Sequence, residues 1–329
     1  MRLLILGGTE FVGRAFVGSA LARGWDVTVF NRGTRPAPEG VTALVGDRTA
    51  ADGLAALASA PDGWDVVVDT WADAPVAVRD AARLLAERAG RYAYVSSCSV
   101  YAWPAPPGSD ETAPLVEGAP DARDVPYAEA KRGGELAAVD AFGAERSLLV
   151  RAGLLLGPFE NVGRLPWWLA RIARGGQVTA PGPADASVQY VDARDLAEWT
   201  LSAAQAGLSG PYNLVGPPGA ATFGEVLDAC VAATGSGAEL RWVAPERVLE
   251  AGIEPWTDLP LWVPPQASDL VGALYSLDVG RARATGLECR PLAETVVDTW
   301  EWLRTVGGEV RGERGTGLPA EKEEVWRGL

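Results

Sequence analysis

The sequence contains no histidine. This absence excludes a Ser-His-Asp triad and a histidine-based metal site, and it leaves acid/base chemistry to Tyr, Lys, Asp, Glu or Cys side chains. Lysine is almost as scarce, because only Lys131 and Lys322 occur among the 29 basic residues and the rest are arginine. Lys131 follows Tyr127 by four residues, so the two side chains would share one face of a helix. A chain that otherwise uses arginine therefore places a compact ammonium beside a phenol.

Cysteine is also rare. The sequence has three cysteines, Cys98, Cys230 and Cys289, and no Cys-x-x-Cys pair occurs. This spacing predicts neither a disulfide framework nor a zinc site, and it suits a reducing compartment. The leading apolar run, Leu3–Leu6, is too short for a signal peptide, and no apolar run approaches the length of a membrane span. We therefore expect a cytoplasmic protein with no metal site and no membrane partner.

Negative charge dominates the composition. The 43 acidic and 29 basic residues give a net charge of −14 and a pI near 4.6. An acidic surface repels nucleic acid, so we expect a small-molecule substrate as the partner and no nucleic acid. At 329 residues with 48% hydrophobic residues, the chain can form one large domain or two lobes. The oligomeric state stays open, with a homodimer as one option.

Short apolar runs alternate with helical segments through the first half of the sequence. The strand-like runs are Leu3–Leu6, Val27–Phe30, Val41–Val45, Val66–Asp69, Tyr92–Val95 and Ser147–Val150. The helical segments between them lie near residues 11–22, 50–59, 75–88 and 126–142. Runs of β-branched residues separated by helices are typical of buried parallel strands. The pattern predicts a Rossmann-like α/β fold with a doubly wound parallel sheet.

After residue 150 the pattern loosens, and we expect a smaller C-terminal α/β lobe that binds substrate. Helical segments near residues 163–174, 193–206, 223–234 and 292–304 alternate with stretches rich in Pro and Gly. The predicted division gives residues 1–160 with 186–206 to the dinucleotide-binding domain and residues 161–185 with 207–329 to the substrate-binding lobe. The tail from residue 307 to 329 is rich in Gly and Glu, with Leu318, Val325 and Trp326 as its predicted apolar anchors.

A glycine-rich turn, Gly7-Gly8-Thr9-Glu10-Phe11-Val12-Gly13, follows the first predicted strand and opens the first helix. Glycines at such a turn let backbone N–H groups approach a pyrophosphate, which then lies at the N-terminus of the helix. The alternative is a tight turn in which Gly13 only packs against the sheet. The position directly after a leading strand favours a dinucleotide site. The turn residues expected to hold the cofactor are Gly7, Thr9, Glu10, Phe11, Val12 and Gly13.

The end of the second predicted strand bears on the choice between NAD and NADP. An NAD site usually has an acid there to bind the ribose hydroxyls, whereas this sequence has Asn31 followed by Arg32. A guanidinium suits a 2′-phosphate, so NADP(H) is favoured. NAD(H) remains the alternative, because Glu10 could repel the phosphate or pair with Arg32. Asp47, after the third strand, is either a contact for the adenine amino group or a solvated turn residue.

Serines end the fifth predicted strand. Ligands bind at the carboxyl edge of an open α/β sheet, so the Ser97 hydroxyl is placed to bond a substrate oxygen. Tyr127 would give or take the proton, while the Lys131 ammonium would stabilise the phenolate and could bond the nicotinamide ribose. A Tyr-x-x-x-Lys pair alone is common, and its simplest interpretation is an exposed pair on a helix. Its combination with Ser97 and the glycine-rich turn predicts a catalytic Ser-Tyr-Lys set.

Together these motifs resemble the extended form of the short-chain dehydrogenase/reductase superfamily, which includes NAD-dependent epimerases and dehydratases. The resemblance covers about residues 1–304. The later segments that are similar to the family's landmarks are Arg151–Gly153, Tyr190–Ala197, Tyr212–Gly216 and Asp298–Trp302. The resemblance implies a Rossmann fold, a nicotinamide cofactor, and Ser97, Tyr127 and Lys131 as the catalytic residues.

The sequence also departs from the family's pattern. Glu10 stands where the middle glycine of the cofactor loop would be. Asp69-Thr70-Trp71 replaces the usual His-x-Ala-type run after the fourth strand, and Thr70 is expected beside the cofactor. Sugar-nucleotide members hold the substrate diphosphate with two arginines, and the matching places here are Val188 and Gln266. A diphosphate would be poorly neutralised there.

The 13 tryptophans are an unusual number for this length. Trp71 and Trp103 follow strand ends that border the predicted nicotinamide site, and Trp167 lies in the substrate half. With Ser99 they could form an apolar, stacking pocket for a ring-bearing substrate. Packing in the core or between the lobes is the alternative for most of the tryptophans. The predicted substrate-pocket residues are Trp71, Ser99, Trp103 and Trp167.

The sequence therefore predicts an NAD(P)H-dependent oxidoreductase that interconverts a carbonyl and an alcohol on a small ring-bearing metabolite. One alternative is a redox-neutral epimerase or dehydratase with tightly bound NAD. A second alternative is a non-catalytic relative that senses a cofactor or binds RNA, although the net charge of −14 disfavours RNA.

Overall fold

The computed structural model describes residues 1–265, 275–308 and 316–329, so Gln266 lies outside the described residues. None of the helices in these ranges is long and apolar enough to cross a membrane. The strands are β1 (Arg2–Leu6), β2 (Asp26–Asn31), β3 (Thr42–Val45), β4 (Trp64–Asp69), β5 (Ala89–Ser97), β6 (Ser147–Ala152), β7 (Leu154–Leu156), β8 (Gln177–Pro181), β9 (Tyr190–Asp192), β10 (Gly210–Leu214) and β11 (Glu239–Val243). The helices are α1 (Phe11–Ala22), α2 (Ala55–Ala58), α3 (Pro75–Leu85), α4 (Tyr127–Phe142), α5 (Arg164–Ile172), α6 (Ala193–Gln205), α7 (Phe223–Thr234), α8 (Pro245–Glu250), α9 (Gly280–Ala284), α10 (Leu292–Thr305) and α11 (Ala320–Gly328).

Seven strands form one parallel sheet in the order β10-β6-β5-β4-β1-β2-β3. Alternate residues of β1 point to opposite faces, so Leu3 and Ile5 enter one apolar core while Leu4 and Leu6 enter the other. Helices α1 and α6 pack together over the first face, and α3 and α4 pack together over the second. Both faces are therefore buried, which confirms the predicted Rossmann-like, doubly wound sheet.

The predicted elements of the first half differ from the observed ones mainly at their ends. The strand predicted over Tyr92–Val95 extends to Ala89–Ser97, so Ser97 is the last residue of β5. The helix predicted near residues 50–59 is shorter, at Ala55–Ala58. Two successive turns occupy the preceding residues, since Ala50 N–H donates to the Asp47 carbonyl and Gly53 N–H donates to the Ala50 carbonyl.

One strand of the central sheet comes from the range that the sequence assigns to the substrate-binding lobe. β10 pairs with β6 along its whole length. Helix α9 packs beside β10, and its Ala282 lies in the core of the α1/α6 face. We keep the division into residues 1–160 with 186–206 and residues 161–185 with 207–329 as a proposal, with β10 and α9 moved to the dinucleotide-binding domain.

A separate apolar cluster forms the core of the second lobe. It joins α5, α7 and α10 with the small parallel pair of β8 and β11. Trp168, Phe223, Trp262 and Trp326 are among its large buried side chains, and the Trp168 indole N–H donates to the Pro260 carbonyl at 2.7 Å. Val188 is 1% exposed in the same core, so its side chain contributes to packing.

The chain ends in a helix that the sequence did not predict. Of the expected tail anchors, Leu318 and Trp326 are buried in the second-lobe core, but Val325 is 46% exposed. The prediction for Val325 is wrong because neighbouring residues of a helix point in directions about 100° apart, so Trp326 alone faces the core. Lys322 on the same helix pairs with Asp258 at 2.6 Å and joins the tail to the rest of the lobe.

Candidate active site

The glycine-rich turn forms a narrow bend between β1 and α1. Gly7 and Gly8 have φ angles of +127° and +95°, which residues with a side chain rarely adopt. A Cβ atom at Gly13 would lie 2.6 Å from the backbone nitrogen of Gly8, so only glycine lets α1 start this close to the turn. The N-terminus of α1 is therefore held against the carboxyl end of β1, where the helix dipole favours an anion.

A groove runs from this turn along the carboxyl ends of β1 to β4. Its lining includes Asn31, Arg32, Asp47 and Thr70, which the structure thus brings together with the turn. The Asn31 carboxamide oxygen accepts a hydrogen bond from Gly33 N–H at 2.9 Å and shapes the bend that carries the exposed Arg32. These residues lie where the adenosine half of a dinucleotide would follow from a pyrophosphate at the turn.

Asp47 and Thr70 each make local hydrogen bonds in this groove. The Thr49 hydroxyl and amide both donate to Asp47, and these bonds, with the nearby charge of Arg32, lower the pKa of the Asp47 carboxyl. Asp47 is therefore a turn residue and a groove residue at once. The Thr70 hydroxyl donates to the Leu6 carbonyl at 2.9 Å and ties the end of β4 to the end of β1.

Glu10 lies between the groove and a second cleft, and it lines both. Its carboxylate pairs with Arg35 at 2.6 Å and accepts a hydrogen bond from the Asn161 amide at 2.9 Å. Glu10 thus pairs with Arg35 and not with Arg32, which was the pairing considered from the sequence. The contact with Asn161 also links the turn to the start of the second lobe.

A buried ion pair that the sequence analysis missed lies beneath the groove. Arg48 makes a bidentate pair with Asp69 at 2.7 and 2.8 Å, with side chains 6% and 0% exposed. Asp69 also accepts from the Tyr92 hydroxyl at 2.5 Å and from Trp71 N–H at 2.9 Å. Burial alone would raise the pKa of Asp69, but the Arg48 charge and the hydrogen bonds from Arg48, Tyr92 and Trp71 together outweigh burial and lower it. Arg48 also stacks 5.0 Å from the Trp71 ring, so the pair fixes Trp71 at the end of β4.

The second cleft, of about 530 Å³, continues from the glycine-rich turn across the ends of β5 and β6. It gathers Ser97, Ser99, Tyr127 and Lys131 along one wall. Ser97 is 8% exposed at the end of β5, and its hydroxyl bonds that of Ser99 at 3.1 Å. Tyr127 begins α4 and is 39% exposed, so its phenol is open to the cleft.

Lys131 is buried one turn further along α4, with 3% exposure. Its ammonium donates to the carbonyls of Trp71 and Val95, both at 2.6 Å, and lies 5.0 Å from the Tyr94 ring. These contacts hold the ammonium at the carboxyl ends of β4 and β5, at the wall that Tyr127 shares. Because Trp71 is itself fixed by Asp69, the buried pair below the groove also positions one acceptor of Lys131.

A second buried network anchors α4 behind the cleft. Glu135, one turn beyond Lys131, is 0% exposed and pairs with Arg151 of β6 at 2.9 Å. It also accepts a hydrogen bond from the Ser96 hydroxyl at 2.8 Å. The network ties α4 to β5 and β6, and so fixes the spacing between Tyr127 and the serines. The i,i+4 spacing of Lys131 and Glu135 was the sequence signal that could have revealed Glu135.

The predicted tryptophans are spread over different places. Trp71 lines the groove beside the glycine-rich turn. Trp103 packs against the apolar cluster of Tyr101 and Ala105, and Trp167 packs against Trp168 with the Arg171 guanidinium 4.2 Å from its ring. Among the described residues that line the cleft, neither Trp103 nor Trp167 appears.

The cleft is also lined by an aromatic residue that the sequence did not single out and by Arg164, one of four arginines (with Arg171, Arg194 and Arg247) that the sequence offered as a source of positive charge. Trp256, in the loop after α8, and Arg164, the first residue of α5, both line the cleft. The Arg164 guanidinium stacks on the Trp256 ring at 5.1 Å. Sequence reasoning had no local signal for Trp256, because it lies in a loop far along the chain from the other cleft residues.

The Rossmann-like sheet, with a glycine-rich turn after β1 and with Ser97, Tyr127 and Lys131 in one cleft, is typical of the extended short-chain dehydrogenases/reductases. Residues 3–215 match the model of the NAD dependent epimerase/dehydratase family, and the chain belongs to this family. No curated protein sequence matches the chain.

Solved structures share the fold over nearly the whole chain. The UDP-glucose 4-epimerase of Thermus thermophilus, in complex with NAD, is 22% identical with a TM-score of 0.64, and the match covers 92% of this chain and 99% of that one. The dTDP-glucose 4,6-dehydratase of Streptomyces venezuelae, also with NAD bound, is 21% identical with a TM-score of 0.64, covering 93% and 97%. At this identity the likeness shows the fold.

Proposed function

We propose that this protein is a nicotinamide-dependent oxidoreductase that interconverts a carbonyl and an alcohol on a small ring-bearing metabolite. The observation that carries the proposal is the gathering of Ser97, Tyr127 and Lys131 in one cleft that continues into the glycine-rich groove. The cofactor would lie across both, and when bound it supplies or accepts the hydride. Ser97 would hold the substrate oxygen, Tyr127 would transfer the proton, and Lys131 would stabilise the phenolate.

Replacing Tyr127 tests this proposal directly. Tyr127→Phe removes only the proton-transfer hydroxyl, so we expect kcat to fall by at least about 10²-fold while the cofactor Kd stays nearly unchanged. No histidine exists in the chain to take over the role. The matched control is Tyr212→Phe, which removes the hydroxyl of a tyrosine in the core beside α6 and should keep near-wild-type kcat. A Tyr127→Phe enzyme that retains more than about a tenth of the wild-type kcat would overturn the assignment.

We propose NADP(H) as the preferred cofactor, with NAD(H) as the alternative. The support is the exposed guanidinium of Arg32 at the rim of the groove, where an acid would serve NAD better. The Glu10 carboxylate, which could repel a 2′-phosphate, is paired with Arg35. Arg35 therefore offsets the Glu10 charge, and Arg32 is the guanidinium that would bind a 2′-phosphate there.

A redox-neutral reaction with tightly bound NAD is the second candidate. The family and the NAD-bound epimerase and dehydratase neighbours favour it. The absorbance of the reduced nicotinamide separates the two candidates. Substrate conversion with a matching change in this absorbance supports the oxidoreductase, whereas conversion with no net change supports the epimerase or dehydratase.

We also propose that the substrate is not a nucleoside-diphosphate sugar. A diphosphate brings about two negative charges into a partly desolvated cleft, and unpaired charge there costs several kcal/mol. Val188 occupies one of the two places where an arginine would be expected, and it is buried in the second-lobe core. Among the described residues that line the cleft, Arg164 is the one arginine. Calorimetric titration of the cofactor-bound protein with UDP-, GDP- and dTDP-sugars tests this, and micromolar binding of any of them would promote the epimerase alternative.

A further inference from the structure

Arg164 and Trp256 form a stacked pair in the lining of the cleft that Tyr127 also lines. The guanidinium carbon of Arg164 lies 5.1 Å from the centre of the Trp256 ring. Arg164 makes no ion pair within residues 1–265, 275–308 and 316–329, unlike Arg171 on the same helix, which pairs with Glu323. Stacking covers one face of the guanidinium and leaves the N–H groups at its edge directed outward. The pair therefore presents a cation and an aromatic surface beside the catalytic wall.

The backbone on both sides of this pair is held firmly. Glu160 is 0% exposed, and its carboxylate accepts hydrogen bonds from Arg164 N–H at 2.7 Å and Leu165 N–H at 3.2 Å, which fixes the first turn of α5. The base of Arg164 is thus anchored by a buried carboxylate, while its side chain reaches into the cleft.

Trp256 is held in an uncommon conformation. Its φ angle is +64°, which is unfavourable for an aromatic residue and persists only where the surroundings impose it. Trp256 N–H donates to the Trp262 carbonyl at 3.1 Å. Asp258 closes the same turn by accepting from Glu254 N–H at 2.7 Å, and Lys322 of the C-terminal helix pairs with Asp258 at 2.6 Å. Backbone strain of this kind clusters at binding sites.

We propose that Arg164 and Trp256 together recognise a substrate that carries a single carboxylate on or next to a ring. The planar guanidinium matches a carboxylate through two parallel hydrogen bonds, and one cation balances one negative charge. The indole offers a flat apolar surface on which the ring stacks. The proposal rests on the proposed function only in placing the substrate in the cleft that holds Tyr127. It makes Arg164 and Trp256 specificity residues, with Lys322 and Asp258 as positioning residues.

The test is calorimetric binding of two probes to the protein saturated with NADP⁺. Benzoate and benzamide have the same shape and differ in charge. We expect wild type to bind benzoate at least about tenfold more tightly, because a hydrogen bond to a charged group adds that much to affinity. Arg164→Gln should bind both probes equally. Arg174→Gln, which removes an exposed arginine just beyond α5, is the control and should keep the preference.

Trp256 is tested with two substitutions. Trp256→Phe keeps an aromatic face and should keep most of the affinity for both probes, whereas Trp256→Leu should weaken both by a similar factor. Equal binding of benzoate and benzamide to wild type, a preference retained by Arg164→Gln, or no millimolar binding of either probe would each overturn the proposal. Binding is measured without turnover, so loss of the preference leaves the role of Tyr127 intact, and an inactive enzyme that still prefers benzoate leaves this subsite intact.

Discussion

Breaking the buried pair of Arg48 and Asp69 should destabilise the protein strongly. The two side chains are 6% and 0% exposed. Asp69→Asn leaves the guanidinium buried without a counter-charge, and such a loss costs about 3–5 kcal/mol of unfolding free energy. Denaturant unfolding followed by tryptophan fluorescence measures this cost, and Asp62→Asn is the control. Asp62 pairs with Arg2 at the surface, with side chains 76% and 46% exposed, so its loss should cost less than about 1 kcal/mol.

A double variant separates the ion pair from simple loss of packing. Arg48→Met combined with Asp69→Asn removes both charges and still leaves an amide oxygen to accept from Tyr92. We expect the double variant to lose at least about 1 kcal/mol less unfolding free energy than the two single variants lose together, because neither charge is left buried without its partner. Additive losses, or a cost for Asp69→Asn no larger than that of Asp62→Asn, would refute the reasoning.

The same pair predicts opposite effects of pH on wild type and on Arg48→Met. In wild type the folded state lowers the pKa of Asp69 from 3.8, so its stabilising contribution is present above that pH and is lost as the pH falls further. Without Arg48, burial raises the pKa of Asp69. The folded variant then takes up a proton as the pH falls, and this uptake increases its unfolding free energy. The stability difference between wild type and Arg48→Met should therefore shrink from about pH 7 to about pH 5. A constant difference across this range would show that Asp69 is not the stranded charge.

Three further predictions concern the cofactor, a buried acid and the tail. Arg32→Ala should weaken NADPH binding by about tenfold and leave NADH binding nearly unchanged, as fluorescence titration of each would show, and a wild type that prefers NADH would contradict it. Burial raises the pKa of Glu160 from 4.5 to about 7. The unfolding free energy of wild type relative to Glu160→Gln should therefore fall as the pH rises from 4.5 to about 7. A difference between the two proteins that stays constant over this range in denaturant unfolding would contradict the prediction. Lys322→Gln removes the ion pair with Asp258 that holds the turn of Trp256. This substitution should raise the benzoate Kd several-fold and leave the cofactor Kd unchanged, and equal effects on both constants would indicate general destabilisation.

The sheet was predictable because its signals are local. Most strands of the first half are runs of apolar residues that are buried on both faces, although β3 at the edge of the sheet is largely exposed. The glycine-rich turn was predictable because only glycine fits the close approach at Gly13. β10 was harder to place, since Gly210 and Pro211 open it and the tertiary pairing with β6 decides its sheet. Strand Ala89–Ser97 was underestimated at its start, where Ala89 and Gly90 have weak strand propensity.

The placement of Tyr127 and Lys131 in one cleft was predictable for a different reason, since their spacing on one helix already brings the two side chains to one face. The pairing of Arg164 with Trp256 was not predictable, because these residues lie 92 residues apart and meet only through the packing of the second lobe. The tryptophans nearer to the motifs in sequence looked better placed, yet Trp103 and Trp167 pack elsewhere. Proximity in sequence predicts which residues share an element, and it does not predict which residues share a cleft.

The two lysines of the chain each hold a different part of the cleft lining in place. Lys131 is held by carbonyls at the ends of β4 and β5, one of them that of Trp71. Lys322 reaches from the last helix to Asp258 and closes the turn that carries Trp256. In both places the flexible side chain of lysine brings a compact ammonium to oxygen atoms of another element. The planar guanidinium of arginine is less suited to such a contact. The scarcity of lysine elsewhere therefore makes Lys322 a structural counterpart of Lys131, and it gives the C-terminal helix a defined part in shaping the proposed substrate subsite.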